Sequence, residues 1–275
     1  MTKYLPKLIG AFINFIAVFT PNYAGKLAMQ LFSIPRKGKL KPDETPFLNT
    51  AEQTKFQYEN FNITAYQWKG SGDTVLLAHG WESNSFRWKD LVITLKKQQF
   101  NIVALDAPAH GGTGNKKFNA ILFSECIHVI ANQFKPKIVI GHSVGGMASV
   151  FAMHNHNITS ITKLVLLGAP DAFSNILNGY ETIMGFNNQT KKGIRAYILK
   201  TFKFLPEHFS TSNFTSNLNI DALIIHDKKD RIISFSDALN IKNKFPNAKL
   251  IETRGYGHSL KSDKIYKHIL DFLNH

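Results

Sequence analysis

From residue 75 onward, short continuous apolar runs alternate with stretches of helical periodicity. The apolar runs are residues 75–78, 102–105, 138–140, 164–167, 223–225 and 249–251. Amphipathic segments, such as residues 88–100, 118–134 and 144–154, lie between them. Strands that are apolar along their whole length are typical of parallel sheets covered by helices on both faces. The alternation therefore predicts an α/β fold with a mostly parallel central sheet and helices on both faces.

Two segments interrupt this regular alternation. Residues 55–59 and 63–68 alternate apolar and polar positions, which predicts an antiparallel hairpin ahead of the parallel strands. The gap between Leu167 and Leu223 is too long for a single crossover, and it contains helical patterns at Phe173–Met184 and residues 190–204. We therefore expect one domain over residues 51–275, with a small helical lid inserted at about residues 171–217.

Residues 1–50 are expected to form a helical extension followed by a linker. Six apolar residues recur at helical spacing, namely Leu5, Leu8, Ile9, Phe12, Ile13 and Ile16, and the opposite face carries Lys3, Lys7, Gly10 and Asn14. A helix docked on the protein itself, an interfacial membrane helix and a signal peptide are the three alternatives. A signal peptide is disfavoured because Asn22-Tyr23-Ala24 is a poor cleavage site. A second helix is predicted from Pro21 to Phe32.

The charge and the cysteine content of the chain limit the partners and the covalent cross-links that it can have. The chain has 33 Lys and Arg against 19 Asp and Glu, a formal net charge of +14. A basic surface attracts polyanions and acidic lipids, but these residues are scattered and no nucleic-acid partner is expected. The only cysteine, Cys126, excludes an internal disulfide and is expected to be a buried core thiol on a helix. We expect a cytoplasmic protein, with peripheral membrane contact through the N-terminal helix as the open alternative.

The segment richest in chemical information is residues 137–146, Lys-Ile-Val-Ile-Gly-His-Ser-Val-Gly-Gly. A buried strand runs into Gly-x-Ser-x-Gly and a helix follows. A turn this sharp requires small residues on both sides of the serine, and Gly141 and Gly145 supply them. The hydroxyl of Ser143 then stands clear of the sheet at the positive end of the following helix. This context predicts that Ser143 is a nucleophile.

On this motif the chain resembles the α/β-hydrolase superfamily, of the small serine hydrolase or esterase type. The resemblance covers roughly residues 54–275 and includes a strand that ends in His79-Gly80, and a loop at residues 106–112. The loop departs from the family pattern at Ala109, where the family often has glycine, and its His110 is expected to be structural. The resemblance implies an oxyanion hole formed by the N–H groups of Trp81 and Val144. Substrate contacts are expected from His79, Gly80 and His142.

The same resemblance places a general base and an acid. Asp230 stands where the family has its acid, and Asp227, nearer the preceding strand, is the competing candidate. His258 follows the last strand and precedes a predicted helix at Asp263–Leu273. The chain order of Ser143, Asp230 and His258 is the order found in this fold. His258 would take the proton of Ser143, and Asp230 would orient the imidazole.

The implied activity is a serine hydrolase that cleaves a carboxylic ester or a related acyl bond through an acyl-enzyme on Ser143. Thioesterase and aminopeptidase-like amidase activities stay open, as does a non-catalytic binding protein with the same fold. Neither an organic cofactor nor a metal is expected, because the three residues carry out their own proton transfers. Four apolar residues of the expected lid are predicted to line a pocket for a hydrophobic small-molecule substrate: Phe173, Ile176, Tyr180 and Met184.

Overall fold

The computed structural model of the chain describes residues 4–274, so that Lys3 of the predicted N-terminal helix lies outside the described residues. The chain divides into two compact units. The helical unit extends up to Ile34 and also contains Ala172–Ser210, whereas the sheet unit contains Pro35–Asp171 and the chain from Thr211 onward. The extension up to Ile34 and the insertion from Ala172 to Ser210, which the sequence suggests as separate parts, therefore belong to one unit, whereas residues 35–50 belong to the sheet unit.

The strands of the described residues form a single eight-stranded sheet in the sheet unit. They are β1 (Glu52–Tyr58), β2 (Phe61–Trp68), β3 (Thr74–Ala78), β4 (Asn101–Leu105), β5 (Ile138–His142), β6 (Lys163–Leu167), β7 (Asp221–Asp227) and β8 (Ala248–Thr253). Their order across the sheet is β1-β2-β4-β3-β5-β6-β7-β8. Strand β2 pairs antiparallel with β1 and β4, and all other neighbours are parallel. The predicted hairpin and mostly parallel sheet are confirmed.

Helices follow the strands as the sequence pattern predicts. They are α1 (Leu5–Phe19), α2 (Pro21–Phe32), α3 (Thr45–Leu48), α4 (Lys89–Lys97), α5 (Ala120–Phe134), α6 (Val144–His156), α7 (Phe173–Met184), α8 (Asn188–Phe202), α9 (Thr211–Thr215), α10 (Phe235–Lys244) and α11 (Asp263–Leu273). The helical unit contains α1, α2, α7 and α8, and the sheet unit contains the others. A short 3₁₀ helix at Ser85–Trp88 precedes α4.

Both faces of the sheet are buried. Successive side chains of a strand point to opposite faces. Alternate strand residues such as Val75, Leu77 and Ile140 pack into one core together with Leu91 of α4 and Ile269 of α11. The intervening strand residues, including Leu76, Val103 and Val139, are also fully buried. This pattern explains why the parallel strands are apolar along their whole length rather than alternating.

Cys126 lies in α5 and is fully buried, as predicted. Its burial raises the pKa of the thiol. A protonated thiol is a poor nucleophile, because the thiolate is the reactive form. Cys126 is therefore a packing residue of the sheet unit.

Glycines allow main-chain contact between the helices of the helical unit. A Cβ atom at Gly25 of α2 would overlap the main chain of Gly193 in α8, and one at Gly193 would overlap the carbonyl oxygen of Pro21. A Cβ atom at Gly10 of α1 would likewise overlap the carbonyl of Met184, the last residue of α7. The four helices thus pack through glycine contacts at which no side chain separates them.

Helix α1 lies where the sequence predicts it. It packs, however, through the side that carries Gly10 and Asn14, which the sequence pattern places opposite the apolar face. Its buried residues are Gly10, Ile13 and Ala17. Asn14 accepts hydrogen bonds from the N–H of Asn187 and the hydroxyl of Thr190, both at 2.9 Å. Its amide also donates to the carbonyl oxygen of Gly185 at 2.8 Å. Asn14 therefore satisfies polar groups of the turn between α7 and α8 and of the first turn of α8.

Helix α1 contains 15 residues. Within residues 4–274, no helix combines the length and the apolar character that crossing a bilayer requires.

We expect Gly25→Ala to lower the melting temperature, because its methyl group would force α2 away from α8 at a cost of about 1–3 kcal/mol. Gly179→Ala in α7 is the matched control, since a Cβ atom there meets nothing within 4 Å. The control is expected to raise stability by about 1 kcal/mol through helix propensity. Thermal and urea denaturation measure both effects, and a Gly25→Ala variant as stable as the parent would contradict main-chain contact between these helices.

Candidate active site

Ser143 occupies a strained turn between β5 and α6. Its main chain has φ 53° and ψ −129°, a conformation that residues with a side chain rarely adopt. A Cβ atom at Gly141 would overlap the main chain of Gly146, and one at Gly145 would overlap the carbonyl oxygen of Ala78 in β3. The N–H of Ser143 donates to the carbonyl oxygen of Leu167 in β6 at 2.8 Å. The two glycines are therefore required by close main-chain contacts, as the motif predicts.

The loop after β3 lies directly against this turn. A Cβ atom at Gly80 would lie 3.0 Å from the Cβ of Ser143 and 2.9 Å from Nδ1 of His142. Trp81 follows in the chain. Val144 is the first residue of α6, a position whose N–H has no acceptor within the helix. The two predicted oxyanion donors thus belong to segments that adjoin Ser143.

Asp230 and His258 are in direct contact. Nδ1 of His258 lies 2.7 Å from Oδ2 of Asp230, whose Oδ1 accepts hydrogen bonds from the N–H groups of Ile232 and Ile233 at 2.8 and 3.0 Å. Nε2 of His226 lies 3.4 Å from Oδ2 of Asp230. Burial alone would raise the pKa of Asp230, but the hydrogen bonds from His226, His258 and the main chain outweigh it and hold this pKa far below its usual range. Asp230 is therefore a fixed, ionised partner of the imidazole.

Asp227 has a different set of partners. It accepts hydrogen bonds from the N–H groups of Lys229 and Tyr256, both at 2.8 Å, and from the hydroxyl of Thr253 at 3.1 Å. Burial would raise the pKa of Asp227, but these hydrogen bonds lower it. Asp227 thus ties the end of β7 to the loop that leads to His258, whereas Asp230 contacts the imidazole itself. The geometry favours Asp230 over Asp227 as the acid.

Two buried side chains hold successive carbonyl groups of the His258 loop. Nε2 of His142 lies 2.8 Å from the carbonyl oxygen of His258, and the Arg87 guanidinium donates to the carbonyl oxygen of Ser259 at 2.9 Å. Burial, reinforced by the charge of Arg87, lowers the pKa of His142 well below its usual value. The imidazole of His142 is therefore neutral, with Nε2–H as the donor. Burial lowers the pKa of Arg87 to about 10, so that it stays charged at neutral pH.

Arg87 and Gly168 were not predicted from the sequence. A Cβ atom at Gly168, which follows β6 with φ +56°, would lie 3.4 Å from Nδ1 of His258 and 3.6 Å from Oδ2 of Asp230. A glycine directly after a parallel strand, at the same sheet edge as Ser143, was the available signal for this position. Arg87 gave no such signal, because basic residues are numerous and scattered along this chain.

His79 is the first residue of the loop after β3 and is fully buried. Its Nδ1–H donates to the carbonyl oxygen of Gly80 at 2.7 Å, and its Nε2 accepts from the N–H of Ala107 at 2.9 Å. Burial lowers the pKa of His79 to about 4, although the carboxylate of Asp106 opposes this shift. A neutral ring with both nitrogens bonded links the loops after β3 and β4, and contact with a substrate would require these bonds to break.

His110 has the structural role expected of it. Its Nδ1–H donates to the carbonyl oxygen of Pro108 at 2.8 Å, and its Nε2 accepts from the N–H of Glu82 at 3.0 Å. The preceding residue, Ala109, has φ +66°, a conformation that favours glycine. This conformation explains why glycine is common at that position in the family, and it makes Ala109 a strained substitute.

The four predicted pocket residues lie on α7, in the helical unit. The hydroxyl of Tyr180 donates to the carbonyl oxygen of Ala28 at 2.9 Å, and the ring of Phe173 lies 6.1 Å from that of Phe32. Met184 is buried and Ile176 is partly exposed. Tyr180 and Phe173 thus pack on α2 within the helical unit, and their place in an acyl pocket stays a prediction.

No group of three His, Cys, Asp or Glu side chains within the described residues has the arrangement that a metal ion would need. One group of such side chains joins α5 and α6. There Nε2 of His156 lies 2.9 Å from Oε1 of Glu125, and the ring of His156 stacks on that of His128 at 3.9 Å. These contacts join the two helices.

The comparisons with known proteins agree with this fold. A sequence profile described as alpha/beta hydrolase fold matches residues 73–192. A pimeloyl-[acyl-carrier protein] methyl ester esterase of Vibrio vulnificus is 28% identical over 114 residues, which are 40% of this chain and 42% of that protein. A non-heme haloperoxidase of Rhodococcus erythropolis is 25% identical over 128 residues, 45% of this chain and 44% of that protein. The matched segments span less than half the length of these curated relatives.

Among solved structures, a membrane phospholipase A described as a bacterial virulence factor matches with a TM-score of 0.65 and 14% identity. The match covers 100% of this chain and 98% of that chain. At this identity the match shows the fold. Together with the sheet order and the strand–turn–helix geometry at Ser143, these findings show that the chain has the α/β-hydrolase fold.

We expect Asp230→Asn to lower kcat by up to about four orders of magnitude, because an amide favours the wrong imidazole tautomer. Asp227→Asn, three residues earlier at the end of β7, is the matched control. It should lower the melting temperature, because an amide accepts the three hydrogen bonds of Asp227 less well, while kcat falls far less. Steady-state kinetics on an activated ester measures both variants, and a larger kcat loss in Asp227→Asn would reverse the assignment of the acid.

We expect Arg87→Met to lower kcat about tenfold with little change in KM, because the carbonyl of Ser259 loses its charged donor and the His258 loop loses its fixed position. Lys89→Met is the control, because Lys89 is an exposed cation whose Nζ lies 5.8 Å from the centre of the Phe86 ring. This substitution should leave kcat unchanged. In a His258→Ala background Arg87→Met should cause no further loss of kcat. An additional tenfold loss in that background would show that Arg87 acts independently of His258.

Proposed function

We propose that the protein is a serine hydrolase that cleaves a carboxylic ester or a related acyl bond through an acyl-enzyme on Ser143. The observation that carries this proposal is the contact between His258 and Asp230 in the same unit as the strained turn at Ser143. The names of relatives support it, since one is a methyl ester esterase. The match to a membrane phospholipase A keeps lipid esters among the candidate substrates.

The proposed reaction begins with attack of Oγ of Ser143 on the carbonyl carbon of the substrate. Nδ1 of His258 is occupied by Asp230, so Nε2 is the nitrogen that takes the serine proton. The N–H groups of Trp81 and Val144 stabilise the negative charge that develops on the carbonyl oxygen. The alcohol leaves with the proton from His258. Water, deprotonated by the same imidazole, then attacks the acyl carbon, and the acid leaves as His258 returns this proton to Oγ of Ser143.

The fixed surroundings of His258 support this division of roles. Asp230 is held by two main-chain N–H groups, and the carbonyl groups of His258 and Ser259 are held by His142 and Arg87. A base fixed in this way loses less entropy when the reacting atoms meet. The acid stays ionised at neutral pH and stabilises the imidazolium that forms when His258 is protonated.

The proposed substrate has a hydrophobic acyl or alcohol part. Phe173, Ile176, Tyr180 and Met184 of α7 are the proposed lining of its pocket, and apolar walls favour acyl chains over charged groups. Thioesterase and amidase activities use the same serine chemistry and differ in the leaving group. A series of p-nitrophenyl esters, an acyl-CoA panel and aminoacyl amides separate these three activities.

We expect Ser143→Ala to abolish ester hydrolysis and labelling by a fluorophosphonate probe, while its melting temperature stays close to that of the parent. Ser216→Ala, which removes an exposed hydroxyl bonded to the carbonyl of Asn213, is the control and should keep full activity. Hydrolysis that persists in Ser143→Ala would contradict the nucleophile. A folded parent protein that neither reacts with the probe nor hydrolyses any of the three substrate panels would favour a binding protein.

A further inference from the structure

Helix α1 exposes an apolar stripe, which consists of Leu5, Leu8, Phe12, Phe15 and Phe19. Their exposed fractions are 51%, 67%, 64%, 64% and 72%. Residues that recur every three or four positions share one face of a helix. The rings of Phe15 and Phe19 are also in edge contact at 5.6 Å. Single exposed apolar residues are common on protein surfaces, but a contiguous apolar stripe marks an interaction site.

The stripe is exposed because the opposite face of α1 is fixed against its neighbours. The opposite face of α1 is fixed by the close approach of Gly10 to Met184 and by the three hydrogen bonds of Asn14. Rotating α1 to bury the stripe would break these bonds. It would also place larger side chains where only glycine fits.

The surroundings of the stripe are basic. Helices α1 and α2 contain no acidic residue, and their charged side chains, Lys7 and Lys26, are both exposed. In the described part of the helical unit there are seven Lys and Arg residues against two Glu. Both glutamates are paired, Glu181 with Lys191 at 3.6 Å and Glu207 with Arg195 at 2.7 Å. The unit therefore presents an apolar stripe within a positively charged surface.

We propose that α1 docks the protein on an anionic lipid surface, where the helix lies in the plane of the interface with its apolar stripe among the acyl chains. A basic amphipathic helix binds in this way because apolar burial and attraction to anionic headgroups add together. Tyr4 and Tyr23 are also exposed, and tyrosine rings favour the headgroup level of a bilayer. A second copy of the chain is the less favoured occupant, because two like-charged surfaces repel each other. The proposal does not depend on catalytic activity, since docking requires no turnover.

Flotation of the full chain with vesicles tests the proposal. We expect binding to vesicles of phosphatidylglycerol mixed with phosphatidylcholine, weaker binding to phosphatidylcholine alone, and release from the anionic vesicles by salt. Phe12→Ser combined with Phe15→Ser should weaken binding about a hundredfold, at about tenfold for each phenylalanine removed from the acyl region. Both residues are exposed, so the melting temperature should not change. Lys7→Gln with Lys26→Gln should weaken binding to anionic vesicles only.

Ile93→Ser combined with Leu239→Ser is the matched control, because these residues are exposed apolar positions of α4 and α10 in the sheet unit. The control should bind vesicles as the parent does. Equal loss in the control, or no flotation of the parent protein with anionic vesicles, would overturn the proposal. A parent that is dimeric in sedimentation, does not float, and becomes monomeric in the Phe12→Ser and Phe15→Ser variant would show that a second copy covers the stripe.

Discussion

The site depends on one strained main-chain turn. Ser143 has a positive φ between β5 and α6, and such a conformation costs of order 1–3 kcal/mol. The surrounding main chain sustains it: the N–H of Ser143 is bonded to β6, and the glycines on either side allow contacts that a Cβ atom would block. Because the loop after β3 contacts the same turn at Gly80, the position of Ser143 also fixes this loop, which carries Trp81.

Two buried carboxylates, those of Asp227 and Asp230, together fix the position of His258. Burying a carboxylate is costly unless hydrogen bonds compensate, and each of these carboxylates accepts main-chain N–H groups. Asp227 fixes the loop after β8, and Asp230 fixes the imidazole that this loop carries. The carbonyl groups of His258 and Ser259 are bonded to His142 and Arg87, so that the loop is fixed both before His258, by Asp227, and at His258 and Ser259. The rigidity of the His258 loop therefore comes from contacts with residues outside the loop rather than from the loop's own sequence.

The sequence predicted the sheet and the turn at Ser143 because both rest on local, one-dimensional signals. Apolar runs mark buried strands, and glycines beside a serine mark a sharp turn. It could not predict Arg87, because burial of a cation depends on which distant carbonyl it meets. Nor could it predict which side of α1 packs. Periodicity identifies the apolar face of a helix, but Gly10 and Asn14 fit a neighbouring main chain that lies more than 170 residues away in sequence.

This packing of α1 also explains why its apolar face is exposed. Helices usually join through apolar side chains, and that mode would have buried Phe12 and Phe15. In the helical unit the glycines at positions 10, 25 and 193 bring main chains together instead, and Asn14 supplies hydrogen bonds that a larger apolar residue could not make. The helical unit is thus held together without the apolar stripe of α1. A stripe that folding does not use is free to bind another surface, and the basic residues around it favour a surface that is negatively charged.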